Sequence, residues 1–363
     1  MIYSEDCYHD AVPVAVMEGC PVSPTSTRPI RRAAKPSAVI EPTGASIEQL
    51  IEEYLDEKRA INLSALTVEQ SYGYSLKGVL MPLLREKGIT DPADVTQPML
   101  SELARDMLSG KRAAKGKPLA ERSVKSYLGA INLFLNWLGK RGDIGDVRAR
   151  PPRVTERLPE TLNGREIQKV EDAARNERDR LIVRVLADTG LRVSELVPRK
   201  PKDRNATGLR LKDVLKEDRH FFLKVMGKGR REREVSIERG LYQRIQTYVK
   251  GDRAALKSDS DFLFLSHKRS AATREYEPLT TSGVLQLIGS LATSAEISKR
   301  VYPHILRHSY ITRLVAQGAS PILLAREVGH SSTAMIDKVY AHNTPAQRGD
   351  HLLALLVRER ERD

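Results

Sequence analysis

The chain has 363 residues, 40% apolar and 29% charged, a mixture that excludes a disordered or fibrous protein and leaves room for two domains with separate cores. Lys and Arg number 60 against 47 Asp and Glu, for a net charge of +13. That surplus favours a polyanionic partner, above all nucleic acid, because neutralising phosphates releases counterions.

Residues 1–44 hold six prolines, the basic cluster Arg28, Arg31, Arg32 and Lys35, and both cysteines, Cys7 and Cys20. Lacking periodicity, they read as a flexible tail. Two cysteines make neither a disulfide framework nor a CxxC metal pair, which fits a reducing cytosol. No apolar run reaches the ~18 residues of a membrane span and no signal pattern opens the chain. A soluble cytoplasmic protein without membrane contact is expected, nucleoid-associated if bacterial.

From residue 45 the pattern turns helical. Ser46-Ile-Glu-Gln49 reads as a capping box ahead of Leu50, Ile51, Tyr54 and Leu55 at helical spacing. Thr67-Val-Glu-Gln70 repeats the device before Tyr74, Leu76, Val79 and Leu80. A third helix starts at Thr96, with Pro98 in its first turn. A fourth spans about 119–138, where Val124, Tyr127, Leu128, Ile131, Phe134, Leu135 and Leu138 form one apolar stripe. Lys111, Arg112, Lys115, Lys117, Arg122 and Lys125 give this domain, residues 45–144, a basic edge and are the candidate DNA contacts. Residues 145–162, with three prolines and mixed charges, read as a linker.

The second domain, residues 163–345, is mostly helical with a small antiparallel sheet. Helices are expected near 163–174, 177–189, 239–249, 281–294, 303–317 and 321–329. Residues 220–227 and 231–237 form a hairpin with a Gly-flanked tip. A C-terminal helix near 345–358 carries Leu352, Leu353, Leu355, Leu356 and Val357 as an apolar stripe. Such a stripe packs on its own domain or docks on a second copy; the two look alike in sequence.

Four segments of this domain can carry chemistry. DTGLRVSEL supplies Arg192 and Glu195, VMGKGRRERE supplies Lys228, PHILRHSY supplies His304 and Arg307, and EVGHSSTAMIDKVYAH supplies His330 and Tyr340. Taken singly, each has a plainer reading: an i,i+3 ion pair, a solvated turn lysine, a structural histidine, a half-buried aromatic. Joint occurrence in one order, within one domain of a basic chain, carries the functional reading instead. No GxxxxGK[ST] loop appears, and Ile305 stands where an HExxH zinc helix needs glutamate. No metal and no cofactor are expected.

This order closely resembles the tyrosine site-specific recombinases, the phage integrase family, over most of residues 46–345. The resemblance implies a helical, SAM-like core-binding domain and a mixed α/β catalytic domain that together clamp duplex DNA, acting as a tetramer on two sites. By position it implies Arg192, Lys228, His304, Arg307, His330 and Tyr340 as catalytic residues, with Glu195 in support and the C-terminal helix docking in trans. Two departures stand out. Ten residues separate His330 from Tyr340, about one more than is usual, and 198–208 reads as an inserted, solvated loop.

Chemistry sets the roles. Two guanidiniums fork onto the nonbridging oxygens of a phosphate, and a tyrosine of ordinary pKa ~10 needs local activation to attack it. Lys228 is the candidate acid for the departing 5′-oxygen, His304 assists the tyrosine proton, His330 donates a further hydrogen bond, and Glu195 orients a neighbour. His308 and Tyr310 are assigned to helix packing or to supporting the catalytic side chains from behind. The expected function is cleavage and rejoining of double-stranded DNA through a 3′-phosphotyrosine. A type IB topoisomerase-like enzyme and a catalytically silent architectural DNA-binding protein are the alternatives.

Overall fold

The computed structural model describes residues 44–61, 63–65, 67–111, 116–154, 160–200, 206–227, 231–330 and 332–341. Expectations for the tail, for Arg112, Lys115 and Lys228, and for the C-terminal helix lie outside these residues. The chain divides into two compact units, Met1–Glu156 and Arg157–Asp363.

The first unit is helical: α1 (Ile47–Ala60), a segment Thr67–Leu80 wound with i→i+5 hydrogen bonds, α2 (Met81–Glu86), α3 (Gln97–Ser109) and α4 (Glu121–Arg141). The Ser46 capping box forms: its N–H donates to Gln49 Oε1 at 2.9 Å and its hydroxyl accepts from the Gln49 N–H at 3.4 Å. At the second expected box the Ser64 hydroxyl takes the Thr67 N–H at 3.1 Å, the donor that the Gln70 side chain was expected to satisfy. All seven stripe residues of α4 are buried. They pack Phe134 edge-on to Tyr54 at 5.4 Å, and Trp137 closes the cluster by donating Nε1–H to Glu57 at 2.7 Å. Lys117, Arg122 and Lys125 are exposed, and Lys111 lies 3.7 Å from Asp106. Within the expected linker, Ala149 is buried and pinned to α4 by paired 2.8 Å hydrogen bonds with the Asn132 amide.

The second unit begins with α5 (Gly164–Asp172), α6 (Glu177–Thr189) and the single turn α7 (Val193–Leu196). Three antiparallel strands follow in the order β1 (Val214–Glu217), β2 (His220–Met226), β3 (Glu232–Ser236). Then come α8 (Arg239–Tyr248), α9 (Thr281–Ser294), α10 (Pro303–Ala316), α11 (Pro321–Val328) and α12 (Ala334–Ala341). β1 and α12 have no counterpart among the sequence expectations; the four residues of β1 are too few to show a period. Leu223 pairs with Val214 on one side and Val235 on the other, placing one apolar row against α6 and its neighbours. Six of the seven residues from Leu181 to Ala187 are buried apolar side chains, so α6 is the central helix of this core. A smaller cluster joins α10, α11 and α12 through Tyr310, Ile311, Val315, Leu324, Val328 and Ile336.

The two ends of the segment expected to be an insertion, Pro198 and Gly208, lie side by side. A Cβ on Gly208, at φ +125°, would lie 2.9 Å from the Pro198 nitrogen, and Pro198 O accepts the Thr281 N–H.

Candidate active site

Two helix ends and one strand build the site, all within the second unit. The first end is that of α6, where Gly190 takes a left-handed φ of +60° and its N–H returns to Leu186 O. This reversal delivers Arg192 to the start of α7. There the Arg192 N–H donates to Glu195 Oε2 at 2.8 Å and its Nη1 to Glu195 Oε1 at 3.1 Å. Gly190 has a second constraint: a Cβ there would stand 2.5 Å from Tyr310 Cδ1.

The second end is that of α11. Gly329, at φ +68°, donates to Arg326 O, and His330 N–H reaches back to Ala325 O at 2.8 Å. These are the two hydrogen bonds of a Schellman ending, and they fix the backbone on which His330 is carried.

Carbonyls at a helix C-terminus carry partial negative charge. Here three consecutive ones are each taken by a different arginine. Arg233 Nε donates to Glu327 O at 2.9 Å, Arg307 Nη2 to Val328 O at 2.7 Å, and Arg192 Nη2 to Gly329 O at 3.1 Å. Arg307 also donates to Gly190 O, so one guanidinium ties the two helix ends together. It is 1% exposed and the largest fully buried side chain among the described residues. Burying a permanent charge is costly unless it is met by strong acceptors, and these two carbonyls meet it.

The PHILRHSY helix is now accounted for. Arg307 faces the helix ends, Tyr310 packs on Gly190, and Ser309 Oγ accepts the Leu162 N–H at 2.8 Å while donating to Ile305 O. His304 and His308 meet edge to face with centroids 4.5 Å apart.

Charges are arranged around Glu195, which is 2% exposed. Burial pushes its carboxyl up, but Arg233 and then Arg192 outweigh burial and hold it below the ordinary glutamate value. Arg233 is a residue the sequence reading did not single out. Its signal was the strand alternation: it shares the inward side of β3 with buried Val235, between exposed Glu232 and Glu234. Glu327 was missed as well; its carboxyl is pushed up by burial despite accepting the Ser236 N–H at 2.8 Å. Tyr310 is pushed up to about 12, chiefly by burial, and so is a neutral phenol.

The structure thus brings together Arg192, Glu195, Arg307 and the backbone turn of His330, with His304 one turn of α10 before Arg307. Tyr340 is placed differently. It sits half-buried on α12, and its hydroxyl donates to Ala319 O, past the C-terminal end of α10. Arg307 lies near the other end of that helix, nine residues before Ala316, or about 13 Å of helical rise. Burial pushes the Tyr340 phenol above its ordinary value. Among the described residues, no group of three or more His, Cys, Asp or Glu is disposed to hold a metal ion. No helix among them is long and apolar enough to cross a membrane.

The sequence profile of the phage integrase family matches residues 160–347, just over half of the chain and all of this constellation. Tyrosine recombinase XerD of Listeria monocytogenes is 26% identical over 300 residues, covering 79% of this chain and 91% of that protein. A tyrosine recombinase of Pseudothermotoga lettingae is 29% identical over 252 residues, covering 68% and 79%. Among solved structures, the Tn1549 transposon integrase in complex with circular intermediate DNA superposes with a TM-score of 0.61 at 19% identity, covering 85% of this chain and 99% of that one. The XerH site-specific recombinase bound to difH substrate gives 0.58 at 19%, covering 83% and 82%. The chain belongs to the phage integrase family and is a tyrosine recombinase.

Proposed function

We propose that the protein binds duplex DNA and exchanges strands between two sites by transesterification, with Tyr340 as nucleophile. The anchoring of Arg192 and Arg307 on successive carbonyls of one helix end carries this reading. Donors held in place before substrate arrives need no reorganisation when charge develops on a phosphorane-like transition state. The two guanidiniums take the nonbridging oxygens, and the His330 ring donates a further hydrogen bond.

Tyr340 attacks phosphorus and its proton passes to His304. The 3′-phosphotyrosine bond forms as the bond to the 5′-oxygen breaks, and Lys228 protonates that oxygen. Attack by a 5′-hydroxyl from the partner strand runs the same steps in reverse, so bond energy is conserved without nucleotide hydrolysis or metal. The phenol must first leave Ala319 O. Beside two guanidiniums rather than buried among apolar side chains, its pKa falls toward the working range. Lys111, Lys117, Arg122 and Lys125 neutralise flanking phosphates. Assembly is as a tetramer on two sites, and the C-terminal helix docks on a second copy. The setting is the cytoplasm and the substrate is DNA of a mobile element.

The test is a nicked duplex whose cleavage releases a short fragment and traps the covalent intermediate. Wild type accumulates a protein–DNA adduct; Tyr340→Phe binds the same duplex with the same salt dependence and forms none. Absence of an adduct from wild type on any selected duplex favours the architectural reading, and supercoil relaxation without joining favours the topoisomerase reading.

A further inference from the structure

Arg233 and Glu327 join β3 to the end of α11 by reciprocal contacts. The Arg233 side chain reaches the main chain of α11, with Nε donating to Glu327 O at 2.9 Å. The Glu327 side chain reaches the main chain of β3, with Oε1 accepting the Ser236 N–H at 2.8 Å. β3 has a strand neighbour on one side only, so a carboxylate takes an edge N–H that no strand supplies a partner for. Arg233 also donates to Glu195, Nη1 to Oε1 at 2.8 Å and Nη2 to Oε2 at 2.9 Å. Approach is close enough that a Cβ on Gly329 would stand 2.9 Å from Arg233 Nη1.

The consequence lies in what else hangs on this helix end. Val328 O anchors Arg307, Gly329 O anchors Arg192, and His330 follows directly. A shift of the α11 terminus therefore moves the seats of both guanidiniums and the ring of His330 at once. Both of the first two contacts join a side chain of one element to the main chain of the other, within the protein's own second unit.

We propose that Arg233 and Glu327 are positioning residues, a two-point clasp that sets where Arg192, Arg307 and His330 meet the scissile phosphate. This rests on the recombinase reading above. The clasp acts on the rate of strand cleavage and not on DNA affinity, because it places groups that act in the transition state.

The experiment uses the full chain and a duplex selected from random sequence for binding to it, nicked to trap the adduct. Glu327→Leu removes the acceptor for Ser236; Glu327→Gln keeps an oxygen there. Single-turnover adduct formation by Glu327→Leu is expected to slow about 10- to 100-fold, with unchanged duplex affinity and a cooperative melt. Glu327→Gln retains most of the rate. Because the clasp acts through the placement of His330 and its neighbours, Glu327→Leu combined with His330→Ala is expected to lose much less than the product of the two single losses. A wild-type rate in Glu327→Leu, a loss matched by lost affinity or lost folded protein, or full additivity with His330→Ala each overturns the proposal while leaving the recombinase reading intact. If wild type itself forms no adduct, both fall together.

Discussion

The carboxylate of Glu195 and the guanidinium of Arg233 meet in two parallel hydrogen bonds of 2.8 and 2.9 Å, with Glu195 only 2% exposed. The planar fork matches the carboxylate and satisfies both oxygens of a charge that water does not reach. Arg192 shares the same carboxylate, so one buried anion orients two cations.

Glu195→Gln removes that anion and leaves two guanidiniums facing a neutral amide. The expected loss is roughly 3 kcal/mol of stability, as for other broken buried pairs. Its pH dependence follows from the depressed folded pKa. The ionised carboxylate stabilises the fold fully above 4.5, the ordinary glutamate value, and the contribution disappears as pH falls below 4.5 through the depressed value. Denaturant midpoints of wild type and Glu195→Gln should stay apart near neutrality and converge in acid. A gap independent of pH would show that the pair is not held by charge.

Gly190→Ala meets two separate penalties. A left-handed φ of +60° costs an alanine about 1–2 kcal/mol, and the new Cβ lies 2.5 Å from Tyr310 Cδ1. Trimming the ring in Gly190→Ala/Tyr310→Leu should relieve the overlap and leave the backbone cost. Equilibrium unfolding of the two single variants and the double variant separates the terms; a double variant as unstable as the sum of its parents would mean the ring is not what the methyl meets.

Lys228→Ala should slow cleavage by about 100-fold or more if the lysine protonates the leaving oxygen. A duplex with a 5′-bridging sulfur at the scissile position needs no proton for departure, so it should restore most of the rate. Equal slowing on oxygen and sulfur substrates would move the acid to another residue.

The parts of the fold that were legible are those that neighbouring residues decide among themselves. The Ser46 box, the α4 stripe and the hairpin from residues 220 to 237 each rest on periods or caps closed within a few residues. The same holds for the segments bearing Arg192, His304, Arg307 and His330, because each lies on or beside a short helix whose ends are set by adjacent glycine or proline. Thr67 misled because its N–H, which a capping box would give to the Gln70 side-chain oxygen, goes to the hydroxyl of Ser64, three residues away on the other side. β1 is too short to display alternation, and it forms because β2 offers it a partner.

The sequence by itself determined the types of side chain able to grip a phosphate, their order along the chain, and the helix endings that carry two of them. Only the tertiary structure decided that three arginines would take three successive carbonyls at the C-terminal end of α11 and its Gly329 cap, that Arg233 would meet Glu327 across 94 residues of chain, and that the Tyr340 hydroxyl would rest on Ala319. Local hydrogen bonds and periodicity are encoded within a helical turn or two. A contact between distant residues exists only after core packing has set helix ends against a strand, and that packing depends on the whole unit at once.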